Sequence, residues 1–499
     1  MQFQSSRKMY PRQNLYECGL GEHWRLQIGD VSPAAFARQI GGCEELVRRF
    51  TMYGELSGHG GCVSSVSFDP TGELLVSGSF DQVIIVWNWA ERRPVFTYNS
   101  GHEKNVFQAL VMPHCDNRII VTCAADGQVR YGAILQDGSA KTKCLGQHRG
   151  HSHKMAIEPG SSRIIYSCGE DGVVQHIDLR EEKAKKLLTC HKYKLNTGKP
   201  SQTRSIRLHS IVMDPIDLNY FAVGGSDQYA RVYDIRRLNA SGLIMEDQPV
   251  ETYTPKHLQG LDYSEQITSL AYSHQRELLV SYNDDLIYLF DKSMNLGDTP
   301  HINVQFYDLE DDIEGEARGT SNLESLSPQV YQGHRNYKTV KGVNFFGPRA
   351  EYVVSGSDCG RIFIWRKKGG RLVALMKGDH SVVNCVEPHP HATILATSGI
   401  DPTIKIWSPE ATSTPHHPEH TDTSMRRQWR RRYSHLTSNR VRFLFRTQHL
   451  RVGQEDITRT QLRDQGGPDR EGLAAMLDDI DDDIFADADT PSPSECIVI

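Results

Sequence analysis

A repeated step from an aspartate to an aromatic residue constrains this chain more than any other feature. Asp81 is followed six residues later by Trp87, Asp227 by Tyr233, Asp284 by Phe290 and Asp401 by Trp407. Asp126 and Asp171 keep the step with weaker endings, Gly132 and Ile177, and Asp358 reaches Trp365 with one residue more. The seven aspartates lie 45, 45, 56, 57, 74 and 43 residues apart, which brackets the period of roughly 40 to 45 residues of a four-stranded blade, plus insertions. One such unit cannot bury its own apolar faces, so the units must stack. The pattern predicts an all-β chain closed into a seven-bladed β-propeller, a fold that presents surfaces rather than reacting groups.

In the first unit Gly58-His59 precedes an apolar run, Val63 to Phe68, then the turn Asp69-Pro70-Thr71-Gly72 and two further runs ending at Trp87. Alternating apolar positions around a Pro/Gly turn make this a meander. With its strands called a to d, the d-to-a and b-to-c turns share one face of the ring, which brings His59 to Asp81. The openings Gly101-His102 and Gly333-His334 predict the same meeting of His102 with Asp126 and of His334 with Asp358, and Asp379-His380 follows loosely. A pair that recurs around the ring reads as a buried hydrogen bond that pins two turns, because buried polar groups need partners; an active site would not repeat. After Trp407 no fourth strand follows, whereas Phe50 to Leu56 is strand-like and has no blade of its own. That segment is expected to complete the seventh sheet and remove an exposed edge.

The 499 residues divide into an N-terminal extension with short helices (1–49), the propeller with its WD-type repeats (50–410) and a tail (411–499). Ser32-Pro33 reads as a helix start, and Phe36 with Ile40, then Leu46, Val47 and Phe50, fall on helical faces. These two short helices either pack under the propeller or dock in a partner's groove. The Lys-rich stretch 181–204 and the stretch 292–330, with its acidic run from Asp308 to Glu314, read as solvated loops. A net charge of −6 exerts no global pull toward nucleic acid or membrane. Eleven cysteines without a CxxC pair point to neither a zinc site nor a disulfide framework, so no cofactor and no metal ligand is assigned. Residues 1–30 carry no apolar signal core, and no stretch reaches the roughly 18 apolar residues of a membrane span; a soluble, non-secreted chain is expected. Phosphate-binding, metalloprotease and nucleophile-elbow motifs are missing, so an enzyme is not expected.

Several strings lie outside any repeat consensus. Val353 to Gly360, Tyr337 to Phe345, Val383 to His391, and Ser100-Gly101-His102 with Asn105 to Ala109 resemble the WD-repeat cullin-4-associated factor eight family over roughly residues 50 to 410. The resemblance implies a substrate receptor of a cullin-4 RING ubiquitin ligase. Such a receptor would bind the ligase's adaptor, the damage-specific DNA-binding propeller protein, and unknown target proteins, with no direct nucleic-acid contact. It also implies an adaptor-binding Asp-x-Arg box after strand c, present here as Asp178-Leu179-Arg180 and Asp234-Ile235-Arg236. The c-to-d turn lies on the face opposite the His-Asp pairs, so Arg180 and Arg236 are expected on one face of adjacent blades. A planar guanidinium suits such a grip because it makes two parallel hydrogen bonds. The plainer role is that each arginine caps its own turn. The alternative function is a WD-repeat scaffold or a histone- or chromatin-binding module with no ligase attached.

The tail separates its charges. Arg426, Arg427, Arg430, Arg431 and Arg432 open a segment with nine arginines and no carboxylate up to Arg451, whereas Glu471 to Asp489 holds eight carboxylates and no Lys or Arg. The first reads as a nuclear-import signal and the second as largely disordered. Cys496-Ile497-Val498-Ile499 matches a prenylation signal, which would give weak membrane contact because one lipid chain anchors only marginally. A nuclear and cytoplasmic distribution is expected.

Overall fold

The computed structural model describes residues 23–192, 205–240, 248–259, 265–297 and 327–411. Within them 28 strands, numbered β1 to β28 along the chain, form seven four-stranded antiparallel sheets. Blade one comprises β2 (Val63–Phe68), β3 (Leu75–Ser79), β4 (Val83–Asn88) and β5 (Arg93–Asn99). Blades two to six follow at 106–147, 152–189, 208–253, 267–331 and 343–377. Blade seven takes three strands from 383–408 and its fourth from β1 (Thr51–Ser57). β1 pairs antiparallel with β28 (Thr403–Ser408), with Thr51 opposite Ser408 and Leu56 opposite Ile404. The ring therefore closes with the N-terminal strand, as the missing fourth strand after Trp407 requires.

Burial on both faces explains the composition of the inner strands. β4 reads Val-Ile-Ile-Val-Trp-Asn, with its four central residues buried, because each sheet is covered by a neighbour on either side. Leu56, Val63, Phe68, Ile85 and Trp87 pack with Ala396, Ile404 and Ile406 between blades one and seven. Trp87 Nε1–H donates to Ser77 Oγ at 2.8 Å, so the ring buries its area without an orphaned donor. Gly58 lies so close that a Cβ there would meet the Trp87 ring at 2.8 Å.

The weak ending of unit two has a local cause. A Cβ on Gly132 would come within 2.6 Å of the Tyr98 hydroxyl, so an aromatic ring from blade one already fills that slot. The outer strands differ from the inner ones. Lys183–Thr189, expected to belong to a solvated loop, is instead β13, paired with β12 (Val173–Asp178) in a register that places Lys183 opposite Asp178 and Leu188 opposite Val174. An outermost strand faces solvent along much of its length, so lysines at Lys183, Lys185 and Lys186 are compatible with it, and they hide its β pattern.

The helix Pro33–Gly41 is capped by Ser32, whose hydroxyl accepts from the Ala35 N–H at 3.2 Å. The next helix, Glu44–Val47, lies on the propeller rather than awaiting a partner. Val47 and Phe50 join Phe346, Tyr352 and Ile364 of blade six, Tyr352 donates to the Gly42 carbonyl at 3.0 Å, and Glu44 pairs with Arg366 and Arg371. Among the described residues no helix is long and apolar enough to cross a membrane. The 181–204 stretch is described only up to 192, and the 292–330 stretch only at 292–297 and from 327. Arg426, Arg427, Arg430, Arg431, Arg432 and Cys496, with the tail that carries them, lie outside the described residues.

Candidate functional site

On the face formed by the d-to-a and b-to-c turns, blade one holds His59 Nδ1 at 3.0 Å from Asp81 Oδ2 and His59 Nε2 at 2.7 Å from Ser77 Oγ. Ser77 is also the acceptor for Trp87, so one chain of bonds runs from the loop to the core. Blade two repeats it with His102, Asp126 (3.0 Å) and Thr122 (2.9 Å), and burial pushes the His102 ring below its ordinary pKa. Blade three has the same set in His148, Asp171 (3.1 Å) and Ser167 (2.9 Å). The Gly-His spacing missed this set because Gln147 stands between Gly146 and His148.

The other blades satisfy the aspartate differently. The expected partnership of His334 with Asp358 is replaced: Asp358 is held by buried Lys341 and accepts from the N–H of Tyr337 at 2.7 Å and Lys338 at 3.2 Å. His334 lies edge-on to Trp365, with ring centroids 5.8 Å apart. The loop between Gly333 and β22 (Val343–Phe346) is long enough to fold Lys341 back under the aspartate. In blade seven buried Asp379 binds Lys405 at 2.7 Å, and Lys405 also reaches Asp401 at 2.8 Å. His380, though 3.1 Å from Asp401, has a side chain 92% exposed. Blade four pairs Asp227 with Arg231 through two bonds of 2.6 and 2.9 Å. Varied partners around a constant carboxylate identify these groups as pins for the turns.

The pin in blade one makes a pH-dependent contribution. Burial opposes ionisation of Asp81, but the His59 ring and the N–H groups of Val83 and Gly60 outweigh it and hold the carboxyl down at about 2. A depressed folded pKa adds stability above the unfolded value near about 3.9, and that stability is lost as pH falls through the folded value. Asp81→Asn is expected to lower the thermal midpoint by several degrees at neutral pH, with the gap to wild type closing from about pH 4 toward pH 2. Paired melts across that range check it; a constant gap would show that the charge is not what holds the turn.

On the opposite face the two Asp-x-Arg boxes adopt one geometry. At the end of β12, Arg180 donates to Asp178 from its backbone N–H (2.9 Å), Nε (3.0 Å) and Nη2 (2.6 Å). At the end of β16 (Ala230–Asp234), Arg236 donates to Asp234 from the same three groups at 2.9, 3.0 and 2.7 Å. The aspartate side chains are 11% and 5% exposed and the arginines 61% and 60%. Each box is thus a buried carboxylate that orients an exposed guanidinium. Arg180 holds the Asp178 carboxyl down at about 2, and Arg236 lowers that of Asp234, so both carboxylates stay charged. Each arginine does cap its own turn and still presents most of its surface outward.

The boxes are neighbours. The helix Ile235–Ala240 begins at the second one, and its Ile235 and Leu238 pack with Leu187 against the core shared by blades three and four. Residues that the sequence reading did not single out surround the second box. Arg236 and Arg276 lie 5.8 and 5.5 Å from the Tyr220 ring, and Ile216 and Leu218 are exposed. Both apolar residues lie in the a-to-b turn of blade four, joined to the box by the Ile235 N–H donating to the Asn219 carbonyl at 2.8 Å. An exposed leucine or isoleucine is unremarkable alone; two of them beside paired guanidinium groups compose an apolar centre with a charged rim.

The family described as "WD domain, G-beta repeat" matches residues 50–88, 326–366 and 370–408. Each match runs from the outermost strand of one blade through the first three strands of the next. Over an alignment 613 positions long, gaps included, the chain is 23% identical to human "WD and tetratricopeptide repeats protein 1", covering 78% of this chain and 89% of that protein. It is 33% identical over 272 residues to mouse "DDB1- and CUL4-associated factor 6", covering 53% of this chain and 30% of that protein. To Arabidopsis thaliana "Protein ALTERED SEED GERMINATION 2" it is 30% identical, covering 49% of this chain and 36% of that protein. The chain is therefore a seven-bladed WD-repeat β-propeller, with a CUL4-associated WD-repeat protein among its relatives.

Proposed function

We propose that this protein is the substrate-recognition subunit of a cullin-4 RING ubiquitin ligase, of the factor eight kind. The face carrying Arg180 and Arg236 grips DDB1, and the His-Asp face meets the target. The observation that carries this reading is the repetition of one Asp-x-Arg geometry on adjacent blades, each with an exposed guanidinium over a buried carboxylate. The similarity to a factor named for DDB1 and CUL4 supports it. The subunit performs no chemistry itself. It raises the effective concentration of target lysines beside a charged ubiquitin-conjugating enzyme, which is catalysis by proximity. Purification of the tagged full chain from cells with neddylation and the proteasome inhibited tests it: DDB1, CUL4 and stabilised targets are expected together, and a purification without DDB1 would defeat the proposal. The scaffold reading draws on the relative aligned over the larger share of this chain, whose name mentions repeats alone; under it the same purification holds partners but no ligase.

The Arg-rich segment supports a nuclear as well as a cytoplasmic pool. Replacing Arg430, Arg431 and Arg432 by alanine is expected to move a fluorescent fusion into the cytoplasm, and Cys496→Ser to change its distribution little. Loss of a membrane pool in the cysteine variant, with no effect of the arginine changes, would reverse that order.

A further inference from the structure

Two histidines and a glutamate converge at the mouth of blade three, apart from the pins and from the Asp-x-Arg face. His151 stands immediately before β10 (Ser152–Ile157) and His153 is its second residue, at a β-bulge between Ser152 and Lys154 that interrupts the strand's alternation and re-aims the side chain there. Glu170 comes from the b-to-c turn beside Asp171. Glu170 Oε1 is 3.3 Å from His153 Nε2 and 3.8 Å from His151 Nδ1, and one ligand atom from each of the three lies within 4.8 Å of the others. The His151 Nδ1 atom is buried with no hydrogen-bond partner among the described residues. His153 is held in orientation by Phe107, whose ring stacks on it at 5.0 Å and 8°. Beside His153 and Glu170 is a hollow walled by His209, Gln266, Thr268 and Asn283.

We propose that His151, His153 and Glu170 form a divalent-metal site that takes zinc in preference to magnesium or calcium, with one coordination position open to this hollow. Zinc bonds to imidazole nitrogen and carboxylate oxygen at about 2.0 to 2.2 Å, which sets the edge of its tetrahedron at about 3.4 Å. The two separations from Glu170, 3.3 and 3.8 Å, straddle that edge, and the three ligand atoms must draw in from within 4.8 Å of one another to close on a metal. Two imidazoles with one carboxylate favour zinc over magnesium or calcium, which prefer all-oxygen shells. A three-ligand set with one open position leaves the fourth place to water or to a donor side chain of a bound protein. The site belongs to the face opposite Arg180 and Arg236 and does not depend on whether DDB1 binds there.

The test uses the full chain, stripped with a chelator and titrated with Zn²⁺ against a chromophoric competitor, then with Co²⁺ as a spectroscopic probe. One high-affinity equivalent is expected, weakened at least about tenfold in His151→Ala, His153→Ala and Glu170→Gln. The bound Co²⁺ should show visible ligand-field bands without the thiolate charge-transfer band that one of the eleven cysteines would produce. His389→Ala with His391→Ala removes another histidine pair of the same spacing, engaged with the Gly72 and Pro70 carbonyls, and should leave the affinity unchanged. His151 has a side chain 33% exposed, so its variant keeps the fold, as a thermal melt verifies, even if His153→Ala does not. Unchanged affinity in His151→Ala, a thiolate band on the first equivalent, or no high-affinity zinc at all would each overturn the proposal.

Discussion

Arg180→Ala combined with Arg236→Ala is expected to abolish co-purification of DDB1 while leaving the thermal melt close to that of the wild type. The two halves of this expectation have different causes. Each guanidinium is about 60% exposed and bonds to the aspartate of its own turn, Arg236 adding one long contact of 3.4 Å to the Tyr220 hydroxyl, so its removal leaves the blade cores untouched, and exposed ion pairs contribute little to folding. At an interface the same groups are pre-oriented, so little side-chain freedom is lost when they meet an acceptor. Each single variant should weaken the complex, and the double variant should remove it, because two contacts on one rigid ring reinforce each other. Arg→Lys at both sites should also fail, since an ammonium cannot reproduce the fork of a guanidinium. A folded double variant that still captures DDB1 would end the ligase reading and leave the scaffold one.

Deleting residues 1–57 is expected to destabilise the whole ring, whereas deleting residues 1–30 should leave it nearly unchanged. The longer deletion removes β1, strips the outer partner from β28, and uncovers Ile404 and Ile406 where Leu56 had packed. It also removes Val47 and Phe50 from the core at blade six. Losing several buried side chains and a strand pairing costs on the order of several kcal/mol, and a fall in thermal midpoint on the order of 10 °C follows. Leu56→Ala alone should cost about 2 to 5 kcal/mol, measurable by denaturant titration. If both truncations melt together, the closing strand does not hold the ring.

The repeat was legible because seven units face one physical problem. Each needs an aspartate in the b-to-c turn and a bulky residue six positions on, to fill the gap against the next blade. Where neighbours supplied what a unit lacked, the linear pattern weakened. Gly132 is not a failed aromatic position but the space taken by Tyr98 of blade one. Likewise His148 sits in the same cage as His59 and His102, although one inserted residue broke the spacing that revealed the others.

Outer strands were the least legible elements. The lysines of Lys183–Thr189 read as a loop because a strand on the rim has no second sheet to cover it, so its alternation is diluted by charge. The aspartate of blade six was visible in sequence but its partner was not, since Lys341 reaches it only through the path of the preceding loop. Much the same holds for the candidate docking face. Asp178, Arg180, Asp234 and Arg236 were readable as a local motif, whereas Tyr220, Arg276, Ile216 and Leu218 join them from other turns.

By itself the sequence determined the number of blades, the strand that closes the ring and the two Asp-x-Arg turns, because each depends on spacing within one unit or on a strand left without a partner. Only the tertiary structure decided which group satisfies each buried carboxylate, that the helix Glu44–Val47 lies on blade six, and that His151, His153 and Glu170 meet. Those are contacts between turns or blades, set by how the chain packs in space, and no local period in the sequence records them.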